Sequence, residues 1–130
     1  MARILFVDDD PNTLETLDKS AQLFGHQAII AKSGEEALKL AAAQSPDLIM
    51  TDMMLPDMDG LALLDQLRQN DATVSIPVVV LSASAEMDIA QLSEQAGADS
   101  FLSKPVRLQT LQNVFERYTS GPRDPDVSED

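Results

Sequence analysis

The sequence predicts an α/β domain: a doubly wound, five-stranded parallel sheet of order 2-1-3-4-5 with helices on both faces. Three observations carry this. Short apolar runs and segments of helical periodicity alternate five times along the chain, as a parallel sheet wrapped by helices requires. The third apolar run, Leu48-Ile49-Met50, is continuous, as in a strand buried on both faces. Right-handed crossovers then leave few topologies, and this order puts a switch point between the first and third strands.

Arg3 to Val7 is the first strand, stopped by Asp8-Asp9-Asp10-Pro11. Asp10 caps the next helix, and Pro11 occupies its first position, where a missing N–H costs nothing. Leu14, Leu17, Ala21 and Phe24 mark that helix, and Gly25 ends it. His26 to Ala31 is the second strand. Ser33 to Glu36 is a capping box opening a helix that runs to about Ala43, with Ala37, Leu38 and Ala41 inward; Pro46 follows.

The third strand, Asp47 to Thr51, delivers Asp52 to its end, and Pro56-Asp57-Met58-Asp59-Gly60 forms a loop. Leu61, Leu64 and Leu67 mark a third helix that stops near Asn70. Ile76 to Leu81 is the fourth strand, with Pro77 near its start. A helix sparse in large apolar residues is expected over Ala85 to Ala96, closed by Gly97. Ser100 to Ser103 is the fifth strand, and Leu108, Leu111, Phe115 and Tyr118 define a final amphipathic helix. The expected domain is 1–119, with 120–130 an acidic disordered tail or linker stub.

The 130 residues suffice for one domain with a core. Nine basic residues against 22 acidic ones give a net charge of −13, which disfavours a nucleic-acid surface. No cysteine is present, so neither disulfides nor thiolate-ligated metals arise. No apolar run reaches membrane-spanning length and the N-terminus lacks a signal-peptide pattern, so a cytoplasmic location without membrane contact is expected.

In this topology Asp8 and Asp9 end strand 1, Asp52 ends strand 3, Ser82 ends strand 4 and Lys104 ends strand 5, all at one edge. Each has a bland explanation alone: helix-start acids, a turn serine, a solvated lysine. Together they are a chemistry. Clustered carboxylates repel unless a cation sits among them. All-oxygen ligation suits Mg²⁺ or Mn²⁺. A divalent cation, an ammonium and a hydroxyl around one carboxylate match the needs of a phosphoryl group, with Asp52 as nucleophile.

The motifs Ile4-Leu5-Phe6-Val7-Asp8-Asp9-Asp10-Pro11, Asp47 to Gly60, Pro77 to Ala83 and Gly97 to Pro105, in that order, resemble the receiver domain of two-component response regulators, whose fold is flavodoxin-like. The resemblance covers residues 3 to about 119. It implies that Asp52 accepts a phosphoryl group from the phosphohistidine of a sensor histidine kinase or histidine phosphotransfer protein. Asp9 would bind Mg²⁺ directly, Asp8 through water, with Asp52 and the backbone oxygen of Met54 as further ligands. Lys104 would pair with Asp52 and then with the phosphoryl group. Ser82 and Phe101 would switch, carrying the change to the face of the fourth helix, fifth strand and fifth helix. The Lys104–Pro105 bond would be cis.

Met54 and Ser84 would flank the entry of the hydrolytic water. Apart from the resemblance, Phe101 reads as a core aromatic, Met53 and Met54 as exposed loop residues, and His26 as a surface residue. The output would be a downstream effector protein or output domain, and a phosphorylation-dependent homodimer is left open. The chain reads as a single-domain regulator, with a receiver module from a longer regulator or hybrid kinase as the alternative.

Three rivals are weaker. A flavodoxin-type cofactor carrier needs a phosphate-cradling loop after strand 1, where Asp8-Asp9-Asp10 is the electrostatic opposite. A small-molecule phosphohydrolase with an Asp nucleophile commonly places a second Asp where Met54 stands. A degenerate receiver would lack some of the five site groups.

Overall fold

The computed structural model describes residues 2–83, 91 and 94–119. Strands β1 (Arg3–Val7), β2 (Gln27–Ala31), β3 (Leu48–Asp52), β4 (Val78–Ser82) and β5 (Ser100–Ser103) form one sheet of order β2-β1-β3-β4-β5. All four pairings are parallel. Helices α1 (Pro11–Leu23), α2 (Gly34–Gln44), α3 (Gly60–Gln69) and α4 (Leu108–Thr119) cover it. The helix expected over 85–96 falls mostly on residues 85–90 and 92–93, outside the described residues, as does the tail expected over 120–130.

Side chains alternate across the sheet and divide the core in two. Ile4, Phe6, Met50, Val79 and Leu81 face α1 and α4, meeting Leu14, Leu17, Leu111 and Phe115. Leu5, Val7, Ile49 and Val78 face α2 and α3, meeting Ala37, Ala41, Leu63, Leu64 and Leu67. This period-2 split explains why the strands read as unbroken apolar runs.

Helix starts follow local chemistry. Asp10 accepts from the Asn12 N–H ahead of Pro11. Ser33 accepts from the Glu36 N–H, while the Glu36 carboxylate reaches back to the Lys32 N–H. Asp59 caps α3 by accepting from the Ala62 N–H.

The boundaries correct several expectations. His26 lies outside β2; it is half-buried, accepts a hydrogen bond from the Ala2 N–H at Nδ1 and packs edge-on against Phe115. Burial lowers its pKa, as does the nearby N-terminal charge, against an opposing pull from Asp47. Asp47 precedes β3, where its carboxylate accepts from the Arg3 N–H. Ile76 and Pro77 precede β4, because Pro77 has no N–H to give the ladder; its carbonyl still accepts from Ile49. In α3, Leu63 rather than Leu61 joins Leu64 and Leu67 in the core, since the helix starts at Gly60 and its inner stripe runs 60, 63, 64, 67. In α4, Val114 joins Leu111 and Phe115, and Leu108 is exposed.

Candidate functional site

The parallel register brings four strand ends to one edge. Asp8 follows β1 directly and its N–H donates to Ala31 O, the last residue of β2. Asp52 ends β3, paired with Leu81, and Ser82 ends β4, paired with Ser103. The Lys104 N–H donates to Ser82 O at 2.7 Å, which fixes the lysine beside the end of β4. The Lys104–Pro105 peptide is cis, as expected.

Asp8 is buried, Asp52 half-buried and Asp9 exposed, and one carboxylate oxygen from each lies within 4.8 Å of the others. The Lys104 Nζ bridges two of them, 2.9 Å from Asp8 Oδ2 and 3.1 Å from Asp52 Oδ1. The second oxygen of Asp8 accepts from the Asp10 N–H at 2.9 Å, so a capping turn orients this carboxylate.

The electrostatics follow from burial. Desolvation raises the Asp52 pKa above the ordinary carboxylate value; Lys104 pulls it down and Asp8 pushes it further up, with a net upward shift. Burial alone would lower the Lys104 pKa, but the hydrogen bonds to Asp8 and Asp52 outweigh it, and the net shift is upward. The lysine is therefore held as an ammonium at neutral pH. An all-oxygen donor set of three converging carboxylates fits a hard divalent cation such as Mg²⁺ or Mn²⁺.

Ser82 is buried at this edge, where its carbonyl accepts from the Lys104 N–H. Phe101 is half-buried in β5, opposite Val80, so it is neither a fully packed core aromatic nor a solvated one. Met54 is exposed, as expected of a loop residue, but Met53 is buried: its N–H extends the β3–β4 ladder to Leu81 O. Ser84 lies outside the described residues.

Two supporting residues were missed by the pattern reading. Gly60 starts α3 against the backbone of β3; a Cβ there would lie 2.8 Å from Asp52 O. Its N–H donates to Met53 O at 2.5 Å, closing the base of the loop. The Asp59-Gly60 pair carried a signal for this: a capping acid followed by the one residue without a Cβ, at the start of a helix. Thr51, fully buried, donates its hydroxyl to Asp52 O. A cleft of 530 Å³ opens beside Lys104, between α1 and the start of α4, lined by Thr13, Leu17, Leu81, Pro105 and Val106 among others.

Comparison with known proteins adds to this geometry. Residues 4–116 match the response regulator receiver domain family. The chain is 31% identical over 121 residues to Protein PilH of Pseudomonas aeruginosa, covering 93% of this chain and all of that one. Other curated relatives are longer, and the chain spans about half their length. A response regulator structure from Chloroflexus aurantiacus superimposes with a TM-score of 0.86 at 32% identity, covering 90% of this chain and 96% of that one. The receiver domain of the sensor histidine kinase PA1611 from P. aeruginosa superimposes with a TM-score of 0.85 at 26% identity, covering 92% of this chain and 98% of that one; a magnesium ion is coordinated in its active-site cleft.

Proposed function

The chain belongs to the response regulator receiver domain family, and on that premise we propose that Asp52 is its phosphoacceptor. Receiver domains are signalling switches rather than conventional enzymes. The observation that carries the reading is the Lys104 ammonium bridging Asp52 and Asp8 beside a three-carboxylate cluster.

In this reading a carboxylate oxygen of Asp52 attacks the phosphorus of a phosphohistidine on a sensor histidine kinase or histidine phosphotransfer protein. A P–O bond forms, the P–N bond breaks and the imidazole leaves. Lys104 moves from its pairing with the Asp52 carboxylate to an oxygen of the transferred group, keeping its proton. Ser82 donates its hydroxyl to a second oxygen. The carboxylates of Asp8, Asp9 and Asp52, with the Met54 backbone oxygen, would hold Mg²⁺ or Mn²⁺. The bound ion supplies charge neutralisation at the phosphoryl oxygens. Later attack of water on phosphorus returns the Asp52 carboxylate and inorganic phosphate.

Ser82 and Phe101 would relay the new charge to the face formed by β5, α4 and the helix that the sequence predicts over Ala85 to Ala96. There a downstream effector protein or an output domain reads the state. The receiver domain is assigned to residues 1–119.

Incubation with acetyl phosphate or a phosphorylated histidine kinase, in Mg²⁺, should label the protein with a base-labile phosphoryl group. Asp52→Asn should abolish that label. Full labelling of the Asn variant would show that the acceptor lies elsewhere.

A further inference from the structure

The loop between β3 and α3 leans on a helix outside the catalytic cluster. Asp57, at its tip, accepts from the Gly34 N–H through Oδ1 at 2.8 Å and from the Glu35 N–H through Oδ2 at 2.9 Å. These are the first two amides of α2, which its own residues leave without a partner: Ser33 serves Glu36, and the Ala37 N–H donates to Ser33 O. The contact is a charge-assisted, two-pronged bond to the positive end of a helix dipole. The two backbone bonds depress the Asp57 pKa and keep it an anion.

Beside it, the Met58 side chain lies over Gly34, so closely that a Cβ there would sit 2.5 Å from Met58 Cγ and Sδ. The base of the loop is fixed separately, by the Gly60–Met53 bond and the Met54–Asp59 bridge. Met54 itself is exposed, so its own side chain cannot hold the loop. The segment carrying the Met54 carbonyl is thus tied down at its base by α3 and at its tip by α2.

We propose that Asp57 is a positioning residue for the metal site: by clamping the loop to the N-terminus of α2, it presents the Met54 carbonyl for cation binding. This rests on the metal reading given above. Without the clamp, the loop would have to be ordered each time the cation binds. Fixing even one backbone residue at that moment weakens affinity by about tenfold.

The test is Mg²⁺ titration by calorimetry on the full chain, alongside thermal melts in chelator. Asp57→Ala should weaken Mg²⁺ binding by about tenfold. Asp57→Asn, which keeps one acceptor oxygen, should fall between it and wild type. Ser33→Ala removes a cap from the same helix without touching the loop. It should lower the melting temperature yet leave the Mg²⁺ Kd within about twofold, because a lost cap costs helix stability alone.

Wild-type affinity in Asp57→Ala, or equal weakening by Ser33→Ala, would overturn the positioning role while leaving the metal site intact. A wild-type chain that binds no Mg²⁺ would overturn the metal reading and this inference with it.

Discussion

The Lys104 ammonium is shared between a buried carboxylate and a half-buried one, and this sets what its removal does. Lys104→Met strands Asp8, which is only 2% exposed, without its cation. In chelator the variant should lose about 1–3 kcal/mol, read from urea denaturation. The same variant should bind Mg²⁺ more tightly than wild type, since the competing cation is gone and the carboxylates still repel; weaker binding would mean that the ammonium does not compete. Asp52 has the opposite sign. Its folded pKa is raised above 3.8, chiefly by burial, so the folded state holds that proton more tightly than the unfolded one. Stability therefore falls as pH rises from 3.8 through the folded pKa, and the ionised side chain costs stability at neutral pH. Asp52→Asn should melt higher than wild type at pH 7 in chelator, with the gap closing toward pH 3.8.

Elements are held in register by polar contacts as well as by the core, and Arg68 on α3 is the chief of these. Its guanidinium donates to Val74 O, Ile76 O, Gly97 O and the Asp99 carboxylate. Asp99 in turn accepts from the Val78 N–H, at the start of β4. One side chain thus joins the end of α3 to the entries of β4 and β5. Arg68→Ala should cost about 1–3 kcal/mol by leaving those acceptors unsatisfied, and Arg68→Lys should recover little, because one ammonium cannot span them. Equal stability of the Lys variant and wild type would reduce the clamp to a single charge.

Arg68 was not legible in the sequence: on an amphipathic helix, it reads as polar-face filler. The strand order and the convergence of Asp8, Asp9, Asp52, Ser82 and Lys104 on one edge were legible, because apolar runs bounded by Asp, Ser and Lys state their own ends. Asp57 reads as a turn residue, and only the fold reveals that its turn faces the start of α2. The errors at Ile76, Asp47 and Leu61 share one cause. Pattern shows where a hydrophobic run lies, whereas hydrogen bonding decides where the element begins.

At the scale of the molecule, the sheet separates two apolar cores among the described residues, one under α1 and α4, the other under α2 and α3. Both cores end against the edge that carries Asp8 and Asp52, so what happens there bears on the stability of the whole domain. A net charge of −13 adds self-repulsion that any cation relieves by screening. Site binding and screening are separable. Mg²⁺ at about a hundred times its Kd should stabilise the fold by about 2.7 kcal/mol through linkage. Sodium chloride at matched ionic strength should give only the screening part. The difference between the two melts is the contribution of the site, and it should shrink strongly in Asp52→Asn, which lacks one anionic ligand. If Mg²⁺ and matched sodium raised the wild-type melting temperature equally, the carboxylate cluster would be acting as diffuse charge rather than as a metal site, and the phosphoryl chemistry proposed for Asp52 would lose its cation.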